Sequence, residues 1–103
     1  MKKFIILFLF TLFIFSSLLF AEVIHSIPKD GFVPNEITAI RIAEAVWLPI
    51  FGEEIYKDKP FKAVLKDGIW IVNGTLPEGT LGGTATAEIA KQDGRILAVY
   101  YTQ

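Results

Sequence analysis

The sequence predicts an α+β fold: one main helix packed on a four-stranded antiparallel sheet. Three observations carry this. Lys59–Asn73 reads KPFKAVLKDGIWIVN, two apolar-rich runs around Asp67-Gly68. Ala85–Lys91 and Arg95–Tyr101 form a second such pair around Gln92-Asp93-Gly94. Between Pro34 and Pro49, apolar residues recur at helical spacing. The predicted helix covers residues 35–48, and the predicted strands cover 61–66, 69–74, 84–91 and 95–101.

The first hairpin sets the register. Asp-Gly favours a type I′ turn, whose two central residues need positive φ. A two-residue loop pairs Leu65 with Trp70, Ala63 with Val72 and Phe61 with Gly74. Phe61, Ala63, Leu65, Trp70 and Val72 then share one face. Lys62, Val64, Lys66, Ile69, Ile71 and Asn73 share the other. A slip of one residue would mix the sets. In the second hairpin a three-residue loop fits best, with Gly94 in the left-handed region. It pairs Ile89 with Leu97 and Ala87 with Val99. Thr86, Glu88, Ala90, Ile96, Ala98 and Tyr100 fall on the opposite face.

The helix has clear ends. Pro34 suits a first helical position, Asn35 is a good N-cap, and Glu36 complements the positive end of the dipole. Either Pro34 or Asn35 can open it. Ile37, Ile40, Ala43, Val46, Trp47 and Ile50 form the core-facing stripe, with Arg41 and Glu44 at its border. Pro49 cannot donate to the carbonyl of Ala45. The helix is expected to end near Leu48 or to kink there. Glu53–Tyr56 reads as one further helical turn. The expected duty of the helix is to cover Phe61, Leu65, Trp70, Val72, Ile89 and Leu97.

Residues 1–21 have the three-part order of a secretory signal peptide. Met1-Lys2-Lys3 is a basic start, Phe4–Phe15 is apolar apart from Thr11, and Ser16–Ala21 is a cleavage region. Cleavage after Ala21 would make Glu22 the first residue. The alternative is an uncleaved anchor over residues 4–21, which is at the lower limit of length for crossing a bilayer. Either way the domain is expected outside the inner membrane, periplasmic or secreted, and free of the membrane once cleaved. The chain contains no cysteine. That excludes lipid attachment through Cys near the cleavage region and leaves stability to one compact core.

The chain has 10 basic and 11 acidic residues; without Lys2 and Lys3 the balance is 8 against 11, a net charge of −3. A nucleic-acid partner needs a basic footprint, so none is expected. Residues 22–33 read as an extended N-terminal arm, with turn signals at Ile27-Pro28 and Asp30-Gly31. Residues 34–103 form the domain.

No catalytic, metal or cofactor residue is expected. His25 is the sole histidine and has no cluster of ligands near it in sequence. Glu53 and Glu54 are adjacent, so on a helix they diverge rather than pair. General acid–base work needs a positioned proton carrier. An inward-pointing Glu44, Glu53 or Tyr56 in a closed apolar pocket would change that expectation. Gly74–Gly83 is a loop with special dihedrals. It lacks the Gly-Lys-Ser/Thr ending of a phosphate loop. It reads as a connection between hairpins, or as a contact loop. Asn73-Gly74-Thr75 matches a glycosylation sequon, a weak signal.

The face away from the helix is the partner-binding candidate. It gathers Val64, Ile69, Ile71, Ile96 and Tyr100 among Lys62, Lys66 and Glu88. A solvated face usually alternates more cleanly to polar residues. Apolar patches rimmed by charge mark partner surfaces. A partner protein, a second copy of the chain docked on this face, the arm folded over it, or ordinary exposure to water would each account for the pattern.

The segments AEAVWLPIFGEEIY, KPFKAVLKDGIWIVNGTLP and LGGTATAEIAKQDGRIL, in that order, resemble the small bacterial immunity proteins with a nuclear-transport-factor-2-like fold. The resemblance spans about Val33 to Leu97. Its most specific parts are Pro49 with Gly52-Glu53, Lys59-Pro60-Phe61, Trp70, Gly74-Thr75-Leu76-Pro77 and Gly82-Gly83. It implies a helix on a curved antiparallel sheet, here a truncated nuclear-transport-factor-2-like or cystatin-like form with one helix where the full fold has about three. It also implies a non-enzymatic protein that neutralises a cognate toxin by direct binding. A second, weaker likeness, over Glu88–Val99, is to peptidase-propeptide-like domains. It implies an inhibitory or binding module acting on a peptidase or another exported envelope protein.

Overall fold

A computed structural model describes residues 26–102. The predicted signal segment, the alternative anchor and His25 lie outside the described residues. The element order is helix α1 (Glu36–Phe51), a 3-10 helix (Gly52–Asp58), then strands β1 (Lys62–Lys66), β2 (Ile69–Asn73), β3 (Ala85–Ala90) and β4 (Ile96–Tyr101). The strands form one antiparallel meander in the order β1-β2-β3-β4. One helix therefore packs on a four-stranded antiparallel sheet, the expected α+β arrangement.

Asn35 is the residue that opens α1. Its side chain accepts from the Thr38 amide at 2.9 Å and from the Thr38 hydroxyl at 2.8 Å. The expected stop at Leu48 is corrected: the helix runs through Pro49 to Phe51. Pro49 removes one hydrogen bond, to the Ala45 carbonyl. Ala45 is exposed, so water can satisfy that carbonyl. Termination falls instead to Gly52, at φ 77°, whose N–H returns to the Leu48 carbonyl. The turn expected over Glu53–Tyr56 is part of the 3-10 helix, and Ile55 from it is buried.

The buried stripe of α1 is Ala39, Ala43 and Trp47. This shifts the expected stripe, because Ile37 and Ile50 are 71% and 58% exposed. Residues at i, i+4 and i+8 share one line along a helix. Two alanines on that line let α1 approach a sheet that also presents Ala63, Ala85 and Ala87. The space left at the helix C-terminal end is filled by Trp47, whose ring meets Phe61 edge-on at 5.3 Å. Trp70, Val72 and Ile89 are buried as expected, but Leu65 and Leu97 are each 44% exposed. They sit on the two edge strands, near the ends where the hairpin turns lie.

The first hairpin has the expected register, Ala63 opposite Val72 and Leu65 opposite Trp70. Asp67 and Gly68 both take positive φ, 51° and 77°. The ladder begins at Lys62 opposite Asn73, so Phe61 lies just outside it.

The second hairpin keeps Ala87 opposite Val99 but not Ile89 opposite Leu97. Ile89 faces Ile96, with a bulge at that point. The cause lies in Lys91. Its N–H donates to the Gly68 carbonyl, and its own carbonyl accepts from Val33. With Lys91 so engaged, the hairpin closes at Ala90, which bonds to Arg95 and Gly94. The loop is one residue longer than expected, and β4 absorbs the difference as the bulge.

The arm docks at this same end. Phe32 and Val33 donate to the carbonyls of Gln92 and Lys91 at 3.0 and 3.1 Å. Val33 is fully buried beside Trp70, whose indole N–H donates to the Val33 carbonyl. The described part of the arm thus packs at the hairpin turns, and it enters the core rather than covering the opposite sheet face.

Candidate partner-binding surface

Directly opposed residues in an antiparallel ladder share a face. The observed registers therefore build the outer face row by row. Lys62, Asn73, Thr86 and Tyr100 form one row, and Val64, Ile71, Glu88 and Ala98 form the next. Lys66, Ile69 and Ala90 form the third. Seven of the eight candidate residues thus come together. Ile96 does not: the bulge sets it opposite Ile89, a residue of the helix-facing side. Alternation across a three-residue loop could not show this, because the slip originates in the arm's bond to Lys91.

The face is apolar in its middle and divided in charge. Val64 is 63% exposed and Tyr100 41%. Ile69 and Ile71 are half-buried, and the small Thr86 and Ala90 are buried. Lys62 and Lys66 project from the β1 side. On the other side the Tyr100 hydroxyl donates to Glu88 Oε2 at 3.0 Å. That hydrogen bond, together with partial burial and the charge of Glu88, raises the Tyr100 pKa above its ordinary value. The phenol is therefore held neutral as a donor.

A second exposed surface lies at the opposite end from the arm. The 3-10 helix is tied to the loop after β2: Thr75 N–H donates to the Asp58 carbonyl at 2.7 Å, and its hydroxyl donates to the Pro60 carbonyl at 2.7 Å. Gly74 is required there, since a Cβ would come within 2.7 Å of the Asp58 Cβ. Lys59-Pro60 is a cis peptide. The Lys59 ammonium lies 4.8 Å from the Tyr56 ring centroid. The motif pieces Lys59-Pro60-Phe61 and Gly74-Thr75 thus meet at one end of the domain, next to the 3-10 helix that Gly52-Glu53 opens. At the loop tip Leu81 is 97% exposed. It is a large apolar residue that the sequence reading placed in the loop without singling out.

The carboxylates do not assemble. Glu54 pairs with Lys57 at 2.7 Å on the surface, while Glu53 and Tyr56 are exposed. Glu44 is the most covered of the three enzyme candidates, and it turns to Arg41 at 3.5 Å. Among the described residues no group of three or more His, Cys, Asp or Glu could hold a metal ion. Nor, among them, is any helix long and apolar enough to cross a membrane.

A family model described as NTF2 fold immunity protein matches residues 38–103, a span that includes α1 from its first turn, all four strands and both surfaces. No curated protein and no solved structure was found to match the chain.

Proposed function

The chain belongs to the NTF2 fold immunity protein family, and from that premise we propose that it protects by binding a cognate toxin directly, outside the inner membrane, through its outer sheet face. The family supports the toxin-immunity role and is typically non-enzymatic. The observation that carries the proposed face is the surface of exposed Val64 and Tyr100 around half-buried Ile71, flanked by Lys62 and Lys66 and left uncovered by the described arm. Such a patch has an apolar centre that excludes water and charges that set orientation. The export half rests on the order of residues 1–21.

The test is substitution of the face in the full chain, with the cognate toxin as the partner. Ile71→Glu and Tyr100→Glu are expected to abolish toxin binding and protection while the far-ultraviolet circular dichroism is unchanged. Retained binding in both variants would move the interface to the Gly74–Gly83 loop or to Glu53-Glu54. Mass spectrometry of the exported protein is expected to find Glu22 first. An intact Met1 in the membrane fraction would favour the anchor over residues 4–21.

A further inference from the structure

We propose that the edge of β4, which no strand covers among the described residues, pairs antiparallel with the same edge of a second copy, joining two four-stranded sheets into one of eight strands. Both β1 and β4 are edge strands, and an edge strand presents unpaired backbone groups that template another strand. The two edges differ in what they allow. Full overlap of β1 on itself would centre on Val64 and set Lys62 opposite Lys66 of the other copy. Like charges directly opposed destabilise a pair. Residues Ile96–Tyr101 carry no charge, no proline and no glycine.

The register of such a pair is fixed by which groups are free. Thr102 N–H donates to the Thr84 carbonyl, so the even-numbered backbone groups at this end of β4 point toward β3. Alternation turns those of Val99 and Tyr101 outward. A two-fold axis at Val99 then opposes Val99 to itself, within the regular stretch Ala98–Tyr101 that follows the bulge. Ala98 faces Tyr100 on the other side. Every opposed pair is uncharged, and the helix faces of both copies lie on the same side.

Packing on the helix side leaves room for this. Helix α1 lies on β1, β2 and β3 and meets β4 where the Phe51 ring touches Tyr101 edge-on at 5.1 Å. Leu97 and Tyr101 remain 44% and 43% exposed, and a second copy would cover them. A second copy is the occupant because this strand is its own complement in length, charge and register. Six residues of edge make a small interface, at the low end of the range below about 1,200 Å², so assembly is expected to depend on concentration. The outer faces stay open in the pair, which makes this dimer independent of the toxin-binding reading.

Sedimentation equilibrium of the purified exported protein is expected to show the average mass doubling as concentration rises. Val99→Pro removes an outward N–H at an edge position where proline is tolerated. It is expected to abolish the doubling with circular dichroism unchanged. The chain has no cysteine of its own, so a cross-link gives a second readout that does not depend on proline. Opposed residues with hydrogen-bonded backbones sit about 5.5 Å apart at Cα, too far at Cβ for a direct disulfide, which needs about 3.5–4.5 Å, but within reach of a short, reducible bis-thiol cross-linker. Treated with it, Val99→Cys is expected to give a reducible covalent dimer, and Val64→Cys on the outer face is not. A single-protomer mass at every concentration with no Val99 cross-link overturns the proposal. So does a doubling that survives Val99→Pro, or one trapped through Val64→Cys.

Discussion

The indole Nε1 of Trp70 donates to the carbonyl of Val33 at 2.8 Å inside the core, a bond between residues 37 apart in sequence. It joins the first hairpin to the arm. Trp70→Ala removes a large buried ring and leaves the Val33 carbonyl without its donor. The expected cost is about 3–5 kcal/mol, the range for large-to-small aromatic core changes. Trp70→Phe keeps most of the packing and loses the donor, which places its cost at about 1–3 kcal/mol. Urea unfolding followed by circular dichroism separates the two. A loss under about 1 kcal/mol for Trp70→Ala, typical of surface sites, would contradict the burial of that face.

The arm is held at a second point with no side-chain freedom. Gly31 has φ 80°, and a Cβ there would run into the Lys91 carbonyl. Gly31→Ala therefore meets both a left-handed backbone and a collision. The expected cost is at least the range of about 1–3 kcal/mol for a residue held in a rare backbone region. Hydrogen exchange should report it locally, as faster exchange at the amides of Phe32 and Val33, which bond to Gln92 and Lys91. Unchanged exchange there would mean that the arm does not depend on this contact.

The first hairpin was legible because Asp67-Gly68 fixes both its turn and its register through local chemistry. The end of α1 was not, because Pro49 signals a stop while the exposed Ala45 lets the helix tolerate it. Ile96 was misplaced for a similar reason. Its position depends on Lys91 bonding to Val33, and no local pattern in the hairpin encodes a contact with residue 33. Seven of the outer-face residues were readable, since strict alternation on β1–β3 and on β4 beyond the bulge survives any long-range contact. Leu81 carried no periodic signal at all; only its exposure in the folded loop distinguishes it.

Glu88 and Tyr100 give the outer face a pH signature. The hydrogen bond to Glu88 leads the causes that raise the Tyr100 pKa, followed by burial and then the charge of Glu88. A pKa raised on folding means that the folded state favours the protonated phenol. Its contribution to stability is therefore complete below the ordinary tyrosine range. It is lost as pH rises through the folded-state value. Glu88→Gln removes the charge and weakens the bond. Ultraviolet tyrosinate titration is expected to show one of the three tyrosines ionising at lower pH in that variant than in the parent. The same titration in Tyr100→Phe should lack that transition, and an unshifted curve in Glu88→Gln would break the assignment.

Leu81 separates the two surfaces that a toxin could use. At 97% exposure its side chain contributes almost nothing to the core, so Leu81→Asp is expected to change stability by no more than about 0.5 kcal/mol. The loop that carries it is anchored elsewhere, through Thr75 to Asp58 and Pro60, and should keep its shape. If the toxin sits on the Val64–Ile71–Tyr100 face, Leu81→Asp leaves protection intact while Ile71→Glu abolishes it. An exposed leucine at a loop tip can also act as an anchor that fills a pocket on a partner. In that case the pattern reverses, with protection lost in Leu81→Asp and kept in Ile71→Glu. The expected result is the first, because the sheet face offers several adjoining apolar residues with charges of both signs beside them, whereas Leu81 stands alone among glycines. Competitive growth of cells carrying each variant with the toxin reads the difference directly.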